Sequence, residues 1–134
     1  MMNKQQTIKQ ILDTCKNIAV VGFSSKSARA GYYVPAYLHE RGYNIIPVNP
    51  NLTEALGQTA YPDLASIPTP VDLVLFFRRS EDIPPFIPDA IAIGAKAIWL
   101  QLGIINQQAA QQAQDAGLLT VMDACALVEH RKLY

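Results

Sequence analysis

A chain of 134 residues, half of them hydrophobic and 16% charged, can bury the core of one domain and is too apolar for a disordered protein. Eleven basic and eleven acidic residues give a net charge of zero, which excludes a broad cationic surface for nucleic acid or acidic membranes, so any anion site must be local. The N-terminus is polar and no apolar run reaches the roughly 20 residues of a membrane span, so we expect a cytoplasmic protein whose two cysteines are thiols.

The first predicted elements are a helix and a strand. Ile8 and Leu12 belong to an apolar series at helical spacing, which predicts a helix over residues 7–15. The Val- and Ile-rich run that follows predicts a strand over residues 17–21, and this run stops abruptly at Gly22.

A loop of small polar residues separates this strand from the next helix. Residues 22–31 include two cations, Lys26 and Arg29, and a helical pattern begins near Tyr32. A helix N-terminus offers unpaired N–H groups and a partial positive charge, and small residues let a phosphate approach them closely. We therefore predict a phosphate-binding loop here.

The second helix has one apolar face made by Tyr33, Tyr37 and Leu38, and Gly42 ends it. Because proline lacks an N–H and clashes inside a helix, we expect Pro35 in the first turn.

The second strand is predicted over residues 44–48, and it ends in a polar turn at residues 49–51. The segment 56–70 is irregular, with at most a brief third strand near residues 59–61.

The rest of the chain alternates between strands and helices. The predicted elements are a buried strand over residues 71–77, a helix between residues 81 and 93, a strand over residues 97–100, a helix between residues 106 and 117, and a strand over residues 118–122. Two cations, Arg78 and Arg79, follow the first of these strands, and residues 123–134 are expected to be a tail.

This alternation predicts one α/β domain, a doubly wound parallel sheet of five to six strands with helices on both faces. Counting strands along the chain, we expect the spatial order 3-2-1-4-5, with the sixth strand beside the fifth. Ligands bind such sheets outside the carboxyl ends of the strands, where the order reverses. The segments expected to converge there are residues 22–31, 49–51, 78–79 and 101–103.

The loop departs from the dinucleotide-binding pattern G-x-G-x-x-G. Ser24 and Ser27 stand where the second and third glycines would be, and the second strand ends in Val48 and Asn49, with no carboxylate for a ribose hydroxyl. The G-K-[ST] ending of a Walker loop is also missing. These departures disfavour NAD and a nucleoside triphosphate as ligands of the loop.

Patterns for catalysis and metal binding are scarce. His39 falls on a helix surface and His130 in the tail, and neither has a sequence neighbour that would orient it for acid–base chemistry. The two histidines and two cysteines match no common zinc spacing. We expect no catalytic residue and no metal site.

Five segments carry a resemblance to a known family. They are VVGFSSKSARAGYYVPAYL, YNIIPVNPN, LGQTAYPDLASIPTPVDLVLFFRRSEDIP, AIAIGAKAIWLQLGI and VMDACALVEH. In them, over residues 18–130, the chain resembles the small bacterial CoA-binding-domain proteins. That family is similar in turn to the N-terminal, CoA-binding domain of the succinyl-CoA synthetase alpha subunit.

The resemblance implies a ligand, coenzyme A or an acyl-CoA, and a place for each of its parts. The loop at residues 24–27 would contact the phosphates, residues 47–51 the nucleotide, and residues 101–103 the pantetheine arm, with Phe76 and Arg78 lining the floor. The complete set of implied ligand-binding residues is Gly22, Phe23, Ser24, Ser25, Lys26, Ser27, Arg29, Tyr32, Pro47, Val48, Asn49, Pro50, Phe76, Arg78, Gln101, Leu102 and Gly103.

The chain departs from the family near its carboxyl end. Where members usually read Met-Asp-Arg-Cys, Ala124 replaces the arginine before Cys125. We expect Cys125 to be an inert thiol, and a redox partnership with the thiol of CoA is the alternative.

The phosphorylated histidine of the synthetase lies in a later domain, for which 134 residues leave no room. We therefore expect a non-catalytic CoA-binding module that acts as a carrier, sensor or regulatory subunit. The alternatives are an enzyme acting on an acyl-CoA, or a module for another adenine nucleotide such as NAD. The sequence does not identify a protein partner.

Overall fold

The structure is a computed structural model that describes residues 2–134. The helices are α1 Lys4–Thr14, α2 Ala30–Glu40, α3 Ile87–Ala92, α4 Gln107–Asp115 and α5 Ala126–Leu133. The strands are β1 Asn17–Val21, β2 Asn44–Val48, β3 Glu54–Ala55, β4 Gln58–Thr59, β5 Leu73–Phe76, β6 Ala97–Leu100 and β7 Leu119–Val121. Within the described residues, every helix is too short or too polar to cross a membrane.

Five strands form one parallel sheet in the order β2-β1-β5-β6-β7. From β1 the chain moves outward to β2 and then returns to β5 on the other side of β1, so the strand order reverses between β1 and β5. This arrangement confirms the predicted doubly wound α/β sheet, and β2 and β6 occupy the predicted residues. The carboxyl ends of β1 and β5 flank the switch point, where such sheets bind ligands.

Helices cover both faces of the sheet because successive side chains of each strand point to opposite faces. In β1, Ile18 and Val20 join the core beneath α1, α2 and α5, whereas Ala19 and Val21 join the core beneath α3 and α4. All four side chains are fully or almost fully buried. The packed sheet thus gives the loops at its carboxyl edge a rigid support.

The predicted third strand is absent from this sheet. Beside β2 there is a single parallel bridge between Val48 and Tyr61, and the short hairpin of β3 and β4 forms a separate sheet. Tyr61 donates to the carbonyl of Pro47 and accepts from Asn49. Pro62 follows directly and has no N–H, so the pairing does not extend.

The second helix starts earlier than predicted, at Ala30, so Pro35 lies well inside it and not in its first turn. The buried face of α2 is also different from the predicted one. It consists of Gly31, Val34, Pro35 and Leu38, whereas Tyr33 is 47% exposed.

Two other segments differ from the sequence-based expectation. The helix predicted between residues 81 and 93 begins as two 3-10 turns, Ser80–Asp82 and Pro84–Phe86, because prolines in this segment cannot donate the hydrogen bonds of α-helical turns. The expected tail contains the helix α5. The prediction of a tail was wrong. The sequence did not indicate this helix because its buried side includes the polar residues Glu129 and His130.

Candidate functional site

A cleft of three adjoining lobes lies at the carboxyl edge of the sheet, and Gly22 borders all three. The first lobe, of about 530 Å³, lies between the start of α2 and the ends of β5 and β6. The second, of about 310 Å³, lies between the ends of β1 and β2 and Phe86. The third, of about 400 Å³, lies between residues 22–29 and residues 49–52. Four segments predicted to converge therefore meet in one place.

Gly22 is required by the geometry at the centre of this cleft. Its φ angle is +85°, a conformation that residues with a side chain rarely adopt. A Cβ atom at this position would lie 2.6 Å from the carbonyl oxygen of Phe77, a backbone atom that cannot move aside alone. The chain can therefore leave β1 and turn across the end of β5 only with glycine here.

The loop after Gly22 is held against the start of α2. The N–H of Ser24 donates to the carbonyl oxygen of Gly31 at 3.1 Å, and the side-chain amide of Asn49 donates to the carbonyl of Phe23 at 2.8 Å. Gly31 has no side chain in the way, and a Cβ there would lie 3.0 Å from the carbonyl oxygen of Gly22. The loop is thus a fixed wall between the lobes.

The start of α2 carries no side-chain cap, in contrast to the starts of α1 and α4, which Asn3 and Asn106 cap. The N-cap residue of α2 is Arg29, whose side chain makes no capping bond. Among the described residues, nothing accepts a hydrogen bond from the N–H groups of Ala30 and Gly31. Both residues border the first lobe, so an anion there can accept from unpaired donors at the positive end of a helix.

The cations around the cleft differ in their partners. Lys26 and Arg29 are exposed, and neither forms an ion pair within residues 2–134. Arg78 borders the first and second lobes, and its Nη2 atom lies 3.4 Å from Oδ2 of Asp82. Arg79 donates to the same oxygen at 3.2 Å. Hydrogen bonding from Arg79, together with the charges of both arginines, lowers the pKa of Asp82.

The loop after β6 forms the far wall of the first lobe. Gly103 donates its N–H to Oδ1 of Asp123 at 2.7 Å, and the indole nitrogen of Trp99 donates to the carbonyl of Ala124 at 2.9 Å. Asp123 adopts a φ angle of +55°, which places its carboxylate back over the loop. Exposed apolar side chains stand at this end of the cleft, and Leu102 is 66% exposed.

Most of the residues that the resemblance implied as ligand contacts line the cleft. They are Gly22, Phe23, Ser24, Ser25, Lys26, Arg29, Val48, Asn49, Pro50, Arg78, Gln101 and Leu102. The others lie nearby but do not border a lobe: Ser27, Tyr32, Pro47, Phe76 and Gly103.

The floor of the cleft is the clearest difference from the expectation. Phe76 is completely buried and its ring packs against Phe86, with 5.8 Å between the ring centroids. The next residue, Phe77, borders the first lobe instead. Alternation along the strand turns consecutive side chains to opposite faces of the sheet, so only one of the two rings can face the lobe.

Several residues that border the cleft were not among those implied. They are Val21, Ala30, Gly31, Leu52, Pro62, Phe77, Arg79, Phe86 and Ile104. Phe77 shares a strand face with Leu73 and Leu75, but Val74 and Phe76 on the opposite face are equally apolar, so the sequence pattern does not distinguish the two rings. Nothing local in the sequence marks Phe86, which reaches the cleft through the turns after β5.

The two cysteines and the two histidines border none of the three lobes of the cleft. Cys15 is buried, and this burial raises the pKa of its thiol; Cys125 is half-buried at the N-cap of α5, and both are free thiols. His39 is exposed, whereas His130 packs beneath α2, with its Nδ1 atom 3.0 Å from the hydroxyl oxygen of Tyr37. Within residues 2–134, no three His, Cys, Asp or Glu side chains are grouped closely enough to hold a metal ion.

Comparison with known proteins gives a consistent result. A family model described as a CoA binding domain matches residues 16–131. The uncharacterized protein YneT of Bacillus subtilis strain 168 is 41% identical over 123 residues, which are 92% of this chain and 91% of that protein. These matches confirm the resemblance that the sequence motifs indicated.

Solved structures share the fold. The cell-free ID.343 protein of Thermus thermophilus superposes with a TM-score of 0.93 at 35% identity, over 99% of this chain and 100% of that one. A dinucleotide forming acetyl-coenzyme A synthetase 1 of Ca. Korarchaeum cryptofilum, solved in complex with phosphate and ADP, superposes with a TM-score of 0.73 at 23% identity. That match covers 83% of this chain and 26% of the synthetase, and it is a likeness of fold alone.

Proposed function

Because the chain belongs to the CoA-binding domain family, we propose that it binds coenzyme A or an acyl-CoA in the cleft at the carboxyl edge of its sheet. The protein then acts as a non-catalytic module, a carrier, sensor or regulatory subunit. The observation that carries this proposal is the uncapped start of α2, whose free N–H groups at Ala30 and Gly31 border the first lobe.

The charges and shapes of the three lobes support a ligand with two separate phosphate groups. CoA carries a diphosphate and a 3′-phosphate, so it needs donors at more than one place. The start of α2 and Arg78 serve the diphosphate, and Lys26 with Arg29 at the third lobe serves the other phosphate. The second lobe, between Val48 and Phe86, offers the apolar walls that an adenine ring needs.

In the free protein, Arg78 is paired with Asp82 and not with a ligand. Both side chains are accessible to water, and such exposed pairs typically contribute only about 0–1 kcal/mol. A charge-assisted hydrogen bond to a phosphate typically contributes about 1.5–3 kcal/mol. The guanidinium group therefore gains by moving from Asp82 to a phosphate.

The proposal includes a location in the cytoplasm, where the thiol of CoA and the two cysteines of the chain remain reduced.

Native mass spectrometry of the protein purified without added ligand tests this proposal. The expected result is a species heavier than the chain by the mass of CoA or an acyl-CoA, or full conversion to that species when CoA is added. The matched control is the Gly22→Ala variant, which the clash with Phe77 should leave without the ligand. A parent protein that takes up another adenine nucleotide, and not CoA, would overturn the proposal.

A further inference from the structure

The strand β7 forms one edge of the sheet, with β6 on one side of it and no strand on the other. Leu119 donates its N–H to the carbonyl of Lys96, so Leu119 and Val121 face β6. By alternation along the strand, the N–H and C=O groups of Thr120 and Met122 point away from the sheet. Within residues 2–134, nothing outside the sheet bonds to these four groups. The edge therefore offers two free donors and two free acceptors.

The opposite edge of the sheet, at β2, is closed. Pro47 has no N–H to offer, and its carbonyl accepts from Tyr61, which follows the hairpin of β3 and β4. The side chain of Gln58 in that hairpin donates to Oδ1 of Asn44 at 2.9 Å. Prolines, charges and covering segments are the means by which proteins keep edge strands from pairing. The strand β7 contains neither a proline nor a charge.

The space beside β7 is a groove of about 500 Å³. One side of it is made by the start of the chain and α1, with Met2, Lys4 and Thr7, and the other side by Gln114 of α4. Met2 is 41% exposed, although it is apolar. Neighbouring strands lie about 4.8 Å apart, so a strand can enter between the two helical layers and pair with β7.

The pairing that this edge permits is short. Gly117 and Asp123 have φ angles of +87° and +55°, so the extended backbone ends on both sides of β7. An antiparallel second copy of β7, with a two-fold axis at Val121, would place Thr120 opposite the partner's Met122 and Met122 opposite the partner's Thr120. Such a pair exchanges both of its hydrogen bonds, so all the free groups of both copies are satisfied.

The neighbouring registers satisfy fewer groups. A shift that places Thr120 opposite its own copy brings Met122 opposite Leu118, whose N–H already donates to Ala113. The opposite shift brings Thr120 opposite Ala124, which lies beyond the turn at Asp123. The edge of β7 is therefore complementary to itself in one register.

The charges beside the groove tolerate this arrangement. The Nζ atom of Lys4 lies 3.5 Å from the carbonyl oxygen of Asp123, two residues from the axis at Val121. The two copies of Lys4 thus lie on opposite sides of the axis, four residues or about 13 Å apart along the strands. This separation exceeds the Debye length of about 8 Å at physiological ionic strength, so their repulsion is screened.

From this pattern we propose that β7 is a homodimer interface, at which a second copy of the chain adds its own β7 in antiparallel orientation. The five-stranded sheets of the two copies then form one continuous sheet. The strand β1, which leads to Gly22, lies three strands away from β7, so the two clefts stay open. The dimer needs no ligand, and its existence is independent of the proposed function.

Sedimentation equilibrium over a range of protein concentrations, without ligand, tests the proposal on the parent and two variants. Thr120→Pro removes the outward N–H and keeps the ladder to β6, because Leu119 and Val121 make that ladder and an edge strand tolerates proline there. Thr120→Val is the matched control, since it removes the hydroxyl group and keeps the backbone donor. Circular dichroism establishes that each variant is folded.

We expect the parent to show a monomer–dimer equilibrium. Thr120→Pro should raise the dimer dissociation constant at least about tenfold, because symmetry removes two hydrogen bonds at once. Thr120→Val should change this constant less than about twofold. A dimer that Thr120→Pro leaves unchanged would overturn the proposal. A parent that stays monomeric up to about 1 mM, where even weak complexes form, would overturn it too and leave the edge to a strand of another protein.

Hydrogen exchange of the parent, followed by NMR, gives a second test that does not depend on the folding of Thr120→Pro. The amides of Thr120 and Met122 should exchange more slowly as the protein concentration rises, because the dimer protects them. The amide of Ser25, in the exposed loop after β1, is the control and should not change. Exchange at Thr120 and Met122 that is independent of concentration would overturn the proposal.

Discussion

The backbone N–H of Ser24 donates a hydrogen bond of 3.1 Å to the carbonyl oxygen of Gly31. In a regular helix that carbonyl would accept from the residue four positions later, but that residue is Pro35, which has no N–H. The proline inside α2 thus leaves an acceptor that the loop uses. Because of this bond, the helix start and the loop form one rigid unit at the first lobe.

The first prediction concerns Gly31, whose missing side chain lets the loop and helix approach. Gly31→Ala would place a Cβ 3.0 Å from the carbonyl oxygen of Gly22, so the loop must shift by a few tenths of an ångström. We expect CoA binding to weaken about tenfold, equivalent to one lost hydrogen bond. The free energy of unfolding should change by less than about 1 kcal/mol, because alanine favours the helix. Calorimetry and urea unfolding measure the two quantities, and unchanged affinity would contradict the account.

The second prediction separates the clash at Gly22 from its backbone conformation. Gly22 and Gly94 both have positive φ angles, +85° and +79°, but a Cβ at Gly94 would meet no atom within 4 Å. Gly94→Ala should therefore cost only the conformational term, about 1 kcal/mol. Gly22→Ala adds the overlap with Phe77, and we expect it to lower the free energy of unfolding by roughly 2 kcal/mol more. If urea unfolding gave the same loss of unfolding free energy for Gly22→Ala and Gly94→Ala, the end of β5 would move aside at little cost, and this prediction would be wrong.

The sequence predicts the strands of the sheet better than it predicts the helices. The strands β2 and β6 are buried on both faces, so each leaves an uninterrupted apolar run with polar or glycine residues at its ends. The helix α5 leaves no such signal. Its eight residues include charged side chains, and Glu129 and His130 lie on its buried side, where a sequence pattern for a packed helix would have apolar residues.

At the site, the sequence predicts the position of the loop after β1, but it does not predict which of the two phenylalanine rings at the end of β5 faces the cleft. A strand that stops at Gly22 and is followed by a helix indicates, from the local pattern alone, that the loop between them borders the cleft. The residues Phe76 and Phe77 are both apolar, however, and the apolar run that contains them has no alternation. Which ring faces the cleft depends on how β5 sits between the two helical layers, which only the packed fold decides.

The third prediction concerns Arg78 and its role at the end of β5. Arg78→Ala should weaken CoA binding by roughly 10- to 150-fold, because a charge-assisted contact to phosphate contributes about 1.5–3 kcal/mol. The free energy of unfolding should change by no more than about 1 kcal/mol, since the side chain is half-exposed and its ion pair with Asp82, at 3.4 Å, is accessible to water.

The control for this variant lies in the same strand. Val74 is completely buried, so Val74→Ala should lower the free energy of unfolding by about 2 kcal/mol. Calorimetric titration with CoA, together with urea unfolding, distinguishes the two effects. An Arg78→Ala protein that binds CoA as tightly as the parent would mean that Arg78 is only a surface charge paired with Asp82.

The fourth prediction follows from the surroundings of His130. Its side chain is buried against Tyr37, and burial, followed by the charges of Arg41 and Lys16, lowers its pKa below the usual 6.5. The unfolded chain therefore binds a proton at this histidine more readily than the folded protein does. The stabilising contribution is complete above about pH 6.5, and it is lost as the pH falls from that value towards the folded-state pKa.

Urea unfolding at pH 5.5 and pH 7.5 measures this dependence. The parent should be less stable at pH 5.5, and His130→Gln should reduce the difference between the two pH values. His39→Gln is the matched control because His39 is exposed on α2, and it should leave the difference unchanged. The explanation would be refuted by a His130→Gln protein with the full pH dependence of the parent.

The affinity order of three ligands tests the central claim most directly, and calorimetric titration of the parent protein with CoA, dephospho-CoA and NAD measures it. We expect CoA to bind most tightly. Dephospho-CoA should bind less tightly because it lacks the 3′-phosphate that Lys26 and Arg29 can attract. NAD should bind most weakly because β2 ends in Val48 and Asn49, with no carboxylate for a ribose hydroxyl. Binding of NAD as tight as that of CoA, or tighter, would contradict the assignment of this cleft to CoA.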